Sequence, residues 1–180
     1  MNSTSKYILR LALTLVLITS LVAAALAGVN AITKDRIAAL KEAKIQEAIA
    51  RVLPEGAGEA VATKVDEGIV KTLYTTGSGY AVEVAPVGFS AEITMMVGVA
   101  EGKITGIAIV SHTETAGLGA VAAAENQAGD AFRSQFQGLS GTLAVDKDGG
   151  VIDSLTGATV TSRAVTEGVN AALEYVAGLG

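Results

Sequence analysis

Five hydroxyl side chains fall within the nine residues SLTGATVTS, from Ser154 to Ser162, around a Gly157-Ala158 pair. Serine and threonine at such density are typical of a turn and a helix cap, and a helical pattern begins near Ser162. The free backbone N–H groups at a helix start, together with the helix dipole, also make a site for a phosphate group. The segment therefore predicts a helix cap and allows an anion site.

A second segment with chemical potential is SHTETAGLGA, residues 111–120, which follows a predicted strand. It contains the single histidine of the chain, His112, the carboxylate Glu114, and the glycines Gly117 and Gly119. Glycine permits a positive φ angle, so an ordinary strand-exit loop is one interpretation. The other is a ligand site in which a flat molecule lies against the glycines. Gly-x-Gly alone does not decide, because it lacks the further glycine of a dinucleotide fingerprint.

The composition excludes several kinds of redox centre. The 180 residues contain no cysteine and one histidine. Disulfides, thiolate zinc sites, cysteine-ligated iron–sulfur clusters and multi-histidine metal centres are therefore excluded, and any redox chemistry must come from an organic cofactor. Residues 61–180 hold six Lys/Arg against thirteen Asp/Glu, a balance of −7. Such an acidic body argues against nucleic acid as a partner.

Residues 11–28, LALTLVLITSLVAAALAG, form an uncharged apolar run after Lys6 and Arg10. A run of about 18 such residues is long enough for a helix that spans a membrane. Two interpretations stay open: a retained anchor that extends to Ile32, or a secretory signal with a cleavage site at Ala25-Leu26-Ala27. The positive charges on the two sides of the run do not settle its orientation.

The rest of the chain mixes helical and strand patterns without a regular βαβ rhythm, which favours an α+β fold. We expect one N-terminal transmembrane helix followed by a domain of small antiparallel sheets with packed helices. The predicted elements are a connecting helix over residues 34–53 ended by Pro54 and Gly56, strands near 79–84, 93–99 and 104–109, a short helix over 128–139, a hairpin of 143–145 with 151–152, and a final helix starting near Ser162.

Two separate motifs, in order, give the chain a resemblance to a known family. The run Asp153-Ser-Leu-Thr-Gly-Ala-Thr159 resembles the flavinylation motif Asp-x-x-(Ser/Thr)-Gly-Ala-Thr, in which FMN is joined through its phosphate to the last threonine. The run His112-Thr-Glu-Thr-Ala-Gly-Leu-Gly119 is similar to the family's His-x-Glu-Thr-Pro-Gly-Leu-Gly segment, and Phe132-Arg-Ser-Gln-Phe136 to an aromatic-x-x-Gln-Phe element. With its N-terminal anchor, the chain resembles the RnfG/RsxG family, the G subunits of the Rnf ion-translocating electron transport complex, over residues 7–176.

The resemblance implies a membrane-anchored flavoprotein that relays electrons through covalent FMN inside a redox-driven ion-translocating complex, and not a stand-alone enzyme. A flavin transferase would move FMN from FAD onto Thr159, reading a sequence that includes Asp153. The implied partners are the other membrane subunits and this transferase. No catalytic residue and no metal ligand is implied. The implied cofactor-binding residues are Thr159, Thr156, Gly157, Ala158, His112, Glu114, Thr115, Gly117, Leu118 and Gly119.

The resemblance also implies an organisation in three parts. Residues 1–32 would form a cytoplasmic tail and transmembrane anchor, residues 33–56 a connecting helix, and residues 57–180 an FMN-binding domain. The family places the last of these on the periplasmic or extracytoplasmic side of the cytoplasmic membrane, a point that the charge count leaves open.

The sequence departs from the family pattern at Ala116, where proline is usual. The change removes no functional group, but proline would stiffen the loop. Two alternatives remain: the related C subunit of the sodium-pumping NADH:quinone oxidoreductase, which is typically a longer chain, and an exported domain without flavin, in which SLTGATVTS is only a helix cap.

Overall fold

The computed structural model describes residues 3–53 and 58–179. The chain divides into two compact units, residues 1–43 and residues 44–180. Short 3₁₀ helices cover Gly119–Ala123 and Asp146–Asp148. The longer elements are the helices α1 (Ser3–Val52), α2 (Gln127–Ser134) and α3 (Thr159–Ala177), and the strands β1 (Val61–Glu67), β2 (Val70–Thr76), β3 (Gly79–Val84), β4 (Thr94–Ala100) and β5 (Lys103–Ser111).

The first unit contains the apolar part of α1, a helix long and apolar enough to cross a membrane, with a mean hydropathy of 2.4 over 18 residues. Its large apolar side chains are exposed, Leu17 and Leu21 at 68% each. The Thr19 hydroxyl donates to the Leu15 carbonyl (2.9 Å), so this polar side chain is paired within the helix. Internal pairing of polar groups is what a hydrocarbon environment requires.

The second unit is built on a five-stranded antiparallel sheet in the order β1-β2-β3-β4-β5. Each strand pairs with its sequence neighbour. At the β4–β5 turn, Glu101 and Gly102 have φ angles of 52° and 71°. Two successive positive φ angles are typical of the type I′ turn that joins twisted antiparallel strands. The α+β architecture, with helices packed on an antiparallel sheet, is therefore confirmed.

Both faces of this sheet are covered. On one face, Val165 and Val169 of α3 pack with Val82 of β3 and Met95 of β4 in the main hydrophobic core. On the other face, the last turns of α1 pack against the neighbouring Met96 in a second core. Adjacent methionines thus enter different cores because successive side chains of a strand point to opposite faces.

The end of α1 approaches the sheet closely at Gly98. The Thr105 hydroxyl donates to the Val52 carbonyl, one of the last helical carbonyls and without an intrahelical partner. A Cβ atom at Gly98 would collide with that same carbonyl, whereas one at the cross-strand partner Gly106 would lie at an ordinary 3.4 Å from the Val52 Cα atom. The absence of a side chain at Gly98 is therefore a condition for the helix to dock.

Several predicted elements differ from the observed ones. A single helix, α1, covers the predicted connecting helix as far as Val52, and the predicted stop at Pro54 and Gly56 lies outside the described residues. The short helix α2 ends at Ser134 instead of residue 139. Its predicted aromatic pair is buried as expected: the Phe132 and Phe136 rings pack edge to face with centroids 5.6 Å apart.

The predicted hairpin of residues 143–145 with 151–152 is wrong. Val145 and Ile152 form one isolated parallel bridge. Between them, residues 146–148 form a 3₁₀ turn, and Gly150 donates its N–H back to the Val145 carbonyl (2.9 Å). The segment therefore closes as a loop whose two ends run in the same direction, instead of reversing as a hairpin does.

We expect Gly98→Ala to destabilise the second unit by about 1–3 kcal/mol, because the added methyl overpacks the contact with the Val52 carbonyl. Gly106→Ala is the matched control, since it adds the same methyl on the paired strand at an ordinary contact distance. Urea unfolding of the full chain in detergent, followed by circular dichroism, measures both. Equal midpoints for the two variants would contradict the close approach.

Candidate functional site

The hydroxyl-rich segment is a β-turn that leads directly into α3. The Ala158 N–H donates to the Leu155 carbonyl (2.9 Å), and Gly157 has a φ angle of 73°. A positive φ angle at the third turn position is typical of a type II turn and favours glycine. The helix then begins at Thr159, three residues before the predicted start, with Ala158 as its N-cap residue.

Side chains from other parts of the domain hold this segment in place. The Gln135 side-chain amide pairs with the main chain of Asp153 in both directions: its Oε1 accepts the Asp153 N–H (2.7 Å) and its Nε2 donates to the Asp153 carbonyl (3.2 Å). The Asp146 carboxylate accepts both the backbone N–H (3.0 Å) and the hydroxyl (2.5 Å) of Ser154. The segment is therefore fixed before it reaches the turn.

Two ionised carboxylates help to hold this segment and the first turns of α3 in place. The hydrogen bonds from Ser154 hold the pKa of Asp146 well below its usual range. The Arg163 guanidinium donates to both carboxylate oxygens of Asp148 (2.7 and 2.6 Å), which lowers the pKa of Asp148 and raises that of Arg163. Both carboxylates are charged near neutral pH, so neither hydrogen-bonded pair depends on pH in that range.

The five hydroxyls of the segment have different environments. Ser154 is bound to Asp146, and Thr161 donates to the Glu114 carboxylate. The Ser162 hydroxyl accepts the Leu155 N–H (2.9 Å) and donates to the Ala158 carbonyl (3.1 Å). Thr161 and Ser162 therefore do not cap α3, and the helix cap predicted for this segment is wrong. The hydroxyls of Thr156 and Thr159 have no hydrogen-bond partner among residues 3–53 and 58–179.

The start of α3 lacks a side-chain cap. Ala158 has no side-chain oxygen, and no side chain accepts a hydrogen bond from the first turn in its place among the described residues. The first intrahelical bond runs from the Ser162 N–H to the Ala158 carbonyl (3.0 Å). The N–H groups of Thr159, Val160 and Thr161 are therefore available, and with the helix dipole they favour an anion beside Thr159.

The segment 111–120 lies opposite this helix start. Its Glu114 side chain is 8% exposed, and its two carboxylate oxygens accept from different elements: Oε1 from the Ser90 N–H (3.0 Å) and Oε2 from the Thr161 hydroxyl. A Cβ atom at Gly119 would collide with both the Thr161 hydroxyl and the Glu114 carboxylate. Glycine at residue 119 thus permits the loop to approach α3.

A cleft of about 310 Å³ lies between these elements. This volume is at the lower end of the roughly 300–1,000 Å³ of small-molecule sites, so a ligand of FMN's size would remain partly outside it. The lining combines exposed apolar side chains with the uncapped helix start. The lining residues are Phe89, Glu114, Thr115, Leu118, Gly119, Gly157, Ala158, Thr159, Val160 and Thr161.

Seven of the ten predicted cofactor-binding residues line this one cleft, although they come from two segments about 40 residues apart in sequence. Gly117 and Thr156 are exposed neighbours of lining residues but do not line the cleft themselves. His112 lines a separate cavity beside Lys44 and Arg133. Its Nδ1 accepts the Glu114 N–H (3.2 Å). A role of His112 in cofactor binding stays a prediction.

The predicted transferase-recognition residue, Asp153, is exposed and lies at the beginning of the fixed segment. Gln135, Asp146 and Phe89 were not identified from the sequence. Gln135 lies in the aromatic-x-x-Gln-Phe element, to which the sequence assigns no role. Asp146 and Phe89 lie in loops whose approach to the site is visible only in the folded structure.

The chemistry of the cleft lining fits the phosphate and one face of the ring of a flavin mononucleotide. Uncapped helical N–H groups suit the phosphate. The exposed side chains of Leu118 and Val160, 44% and 46% exposed, offer an apolar surface for a flat ring.

Comparison with known proteins defines the class first. Residues 88–174, which contain the whole cleft, match the FMN-binding domain family. Residues 1–52, which include the whole of α1, match the RnfG N-terminal region. The cleft therefore belongs to an FMN-binding domain, and the N-terminal helix to a particular subfamily of such proteins.

Related proteins identify the family to which the chain belongs within this class. The G subunit of an ion-translocating oxidoreductase complex from Methanosarcina acetivorans is 32% identical over 97% of both chains. The G subunit of the Na⁺-translocating ferredoxin:NAD⁺ oxidoreductase complex of Acetobacterium woodii is 32% identical over 97% of this chain and 94% of its own. The proton-translocating counterpart of Clostridium ljungdahlii is 37% identical over 78% and 76%. The chain belongs to the RnfG family of Rnf-type ion-translocating complexes, and its apolar helix makes it a membrane-anchored member.

We expect Thr161→Val to destabilise the domain by about 1–3 kcal/mol, because it leaves a buried carboxylate oxygen of Glu114 without its donor. Thr156→Val makes the same chemical change at an exposed hydroxyl and should alter stability by less than about 0.5 kcal/mol. Urea midpoints of the full-length variants in detergent compare them. A Thr161→Val midpoint equal to that of Thr156→Val would contradict the role of this hydrogen bond.

Proposed function

We propose that this chain carries FMN in a phosphoester bond to Thr159 and relays electrons within an Rnf-type ion-translocating complex. One observation supports Thr159 above all. It is the hydroxyl of the motif that lines the cleft without a hydrogen-bond partner among the described residues, and it lies at the uncapped start of α3. Thr161 also lines the cleft, but its hydroxyl is bound to Glu114.

Different residues around Thr159 hold the phosphate and the ring of the cofactor. The free N–H groups at the start of α3 stabilise the phosphate charge, as at other helix N-termini. Leu118 and Val160 contact the ring, while Glu114 keeps the loop and the helix together from behind. Ala158 and Gly157 leave room for the phosphate, and Thr115 lies at the rim. The bound FMN supplies the electron-accepting and electron-donating ring, and the protein sets its position and surroundings.

Attachment requires a flavin transferase. The Thr159 hydroxyl replaces AMP on the FMN phosphate of FAD: the phosphoanhydride bond breaks, the phosphoester forms and the hydroxyl proton is released. Asp153, Thr156, Gly157 and Ala158 belong to the sequence that this enzyme reads. The exposure of Asp153, Thr156 and Gly157 on the fixed segment supports its access to the motif.

The anchor of residues 1–32 places the domain at the membrane, with residues 33–56 as the connection and residues 57–180 as the FMN-binding domain on the extracytoplasmic side. The other subunits of the complex are its partners. The names of two relatives specify different coupling ions, Na⁺ in one and protons in the other, so the coupling ion is a property of each complex.

The alternatives are less well supported. The relatives that align with nearly the whole chain are named as G subunits, which does not favour the C subunit of the sodium-pumping oxidoreductase. An exported domain in which the motif is only a helix cap does not agree with the hydrogen bonds, because the N-cap residue is Ala158 and no hydroxyl of the motif caps α3.

We expect Thr159→Val to abolish covalent FMN while the fold is retained, since the side chain is at the helix start and only partly buried. In-gel flavin fluorescence of the full chain, produced together with a flavin transferase, detects the cofactor. Thr159→Ser is the control and should keep it, because it retains a hydroxyl at the same position of the helix start. Fluorescence retained by Thr159→Val would identify a different acceptor.

A further inference from the structure

Phe89 is an exposed aromatic residue in a chain that contains three phenylalanines. The other two, Phe132 and Phe136, are 2% and 0% exposed and lie in the main core. Phe89 is 71% exposed. Burying a phenyl ring is favourable by roughly 1.5–3 kcal/mol, so this side chain gives up a stabilisation that its two counterparts obtain. The phenyl ring is therefore free to contact a ligand bound at the surface of the domain.

The exposure of Phe89 does not come from a loose loop. Val87 and Glu92 form an antiparallel bridge on either side of it, and Gly88 donates its N–H to the Ala91 carbonyl (2.9 Å). The following residue, Ser90, donates its N–H to the buried carboxylate of Glu114 (3.0 Å). The backbone that carries the phenyl ring is therefore fixed to the same carboxylate that fixes the start of α3.

Phe89 belongs to an apolar rim around the FMN cleft. Seven large apolar side chains are exposed between residues 58 and 179 of the described structure, and three of them, Phe89, Leu118 and Val160, line this one cleft. The three come from different segments and converge around Thr159. An apolar rim of this kind excludes water from whatever occupies the cleft.

We propose that Phe89 is a positioning residue that forms one wall for the isoalloxazine ring of FMN and shields that ring from water. The inference rests on the proposed function, because it requires FMN on Thr159. It adds a residue of the segment 88–92, which neither motif includes, to the flavin environment. Removal of the phenyl ring would let water reach the isoalloxazine ring. Because apolar surroundings disfavour charged forms, the added water would stabilise the charged reduced flavin and raise the midpoint potential.

Quenching of the flavin fluorescence by a single introduced tryptophan tests this wall directly. The chain contains no tryptophan, so Phe89→Trp provides its single indole. An indole in contact with an excited flavin quenches it by electron transfer. We expect a several-fold shorter flavin lifetime in Phe89→Trp than in wild type, measured with direct visible excitation of the FMN-loaded full chain in detergent. Val61→Trp is the control, since Val61 is 66% exposed but lies on β1 and does not line the cleft.

A second variant covers the case in which the larger indole prevents loading. Phe89→Tyr adds one oxygen, keeps the ring and also quenches flavin, so it should shorten the lifetime as well.

The loss of shielding is measured with a third variant. In FMN-loaded Phe89→Ala, the midpoint potential should rise relative to wild type and to Val61→Ala. Wild-type lifetimes in both loaded Phe89→Trp and loaded Phe89→Tyr would overturn this inference alone. Absence of FMN from the wild-type chain made with the transferase would overturn the proposed function and this inference with it.

Discussion

The hydrogen bond between the Thr161 hydroxyl and the buried Glu114 carboxylate connects the two motifs of the site. Without it, the loop of residues 111–120 and the start of α3 would each be an ordinary local structure. Through its other oxygen, Glu114 also fixes the turn that carries Phe89. A single carboxylate thereby sets the spacing of three cleft walls. Because a buried acceptor left unpaired is costly, this arrangement is strongly favoured over alternatives that separate the walls.

The acceptor segment uses its polar groups in the same way. Gln135 and Asp146 fix its beginning, and Ser162 fixes the turn, so the bound hydroxyls maintain the fold. Thr159 is left with its hydroxyl unpaired among the described residues and with the uncapped helix start beside it. A structural role for most of the hydroxyls and a chemical role for one of them are therefore compatible within nine residues.

The sequence predicts the strands well because their pattern is local. Met95 and Met96 enter opposite cores, as the two-residue period of a strand requires.

Prediction fails where tertiary contacts decide the pairing. The Ser162 hydroxyl bonds the Leu155 N–H instead of capping the helix, although hydroxyls favour the cap position. Val145 and Ile152 meet in a parallel bridge because the intervening 3₁₀ turn closes the loop. The two motifs are visible by resemblance, but their convergence depends on Glu114 and Thr161, which lie 47 residues apart in the chain. Phe89 lies in neither motif, so it is found only once the loops are placed.

The central claim is that FMN is carried on Thr159, and the mass of the tryptic peptide from Asp148 to Arg163 tests it most directly. The peptide contains all five hydroxyls of the motif, so fragmentation assigns the modified one. For the chain produced with a flavin transferase, the account predicts a mass increased by FMN less one water, localised to Thr159. An unmodified peptide, or the same added mass on Thr156 or Thr161, would contradict it.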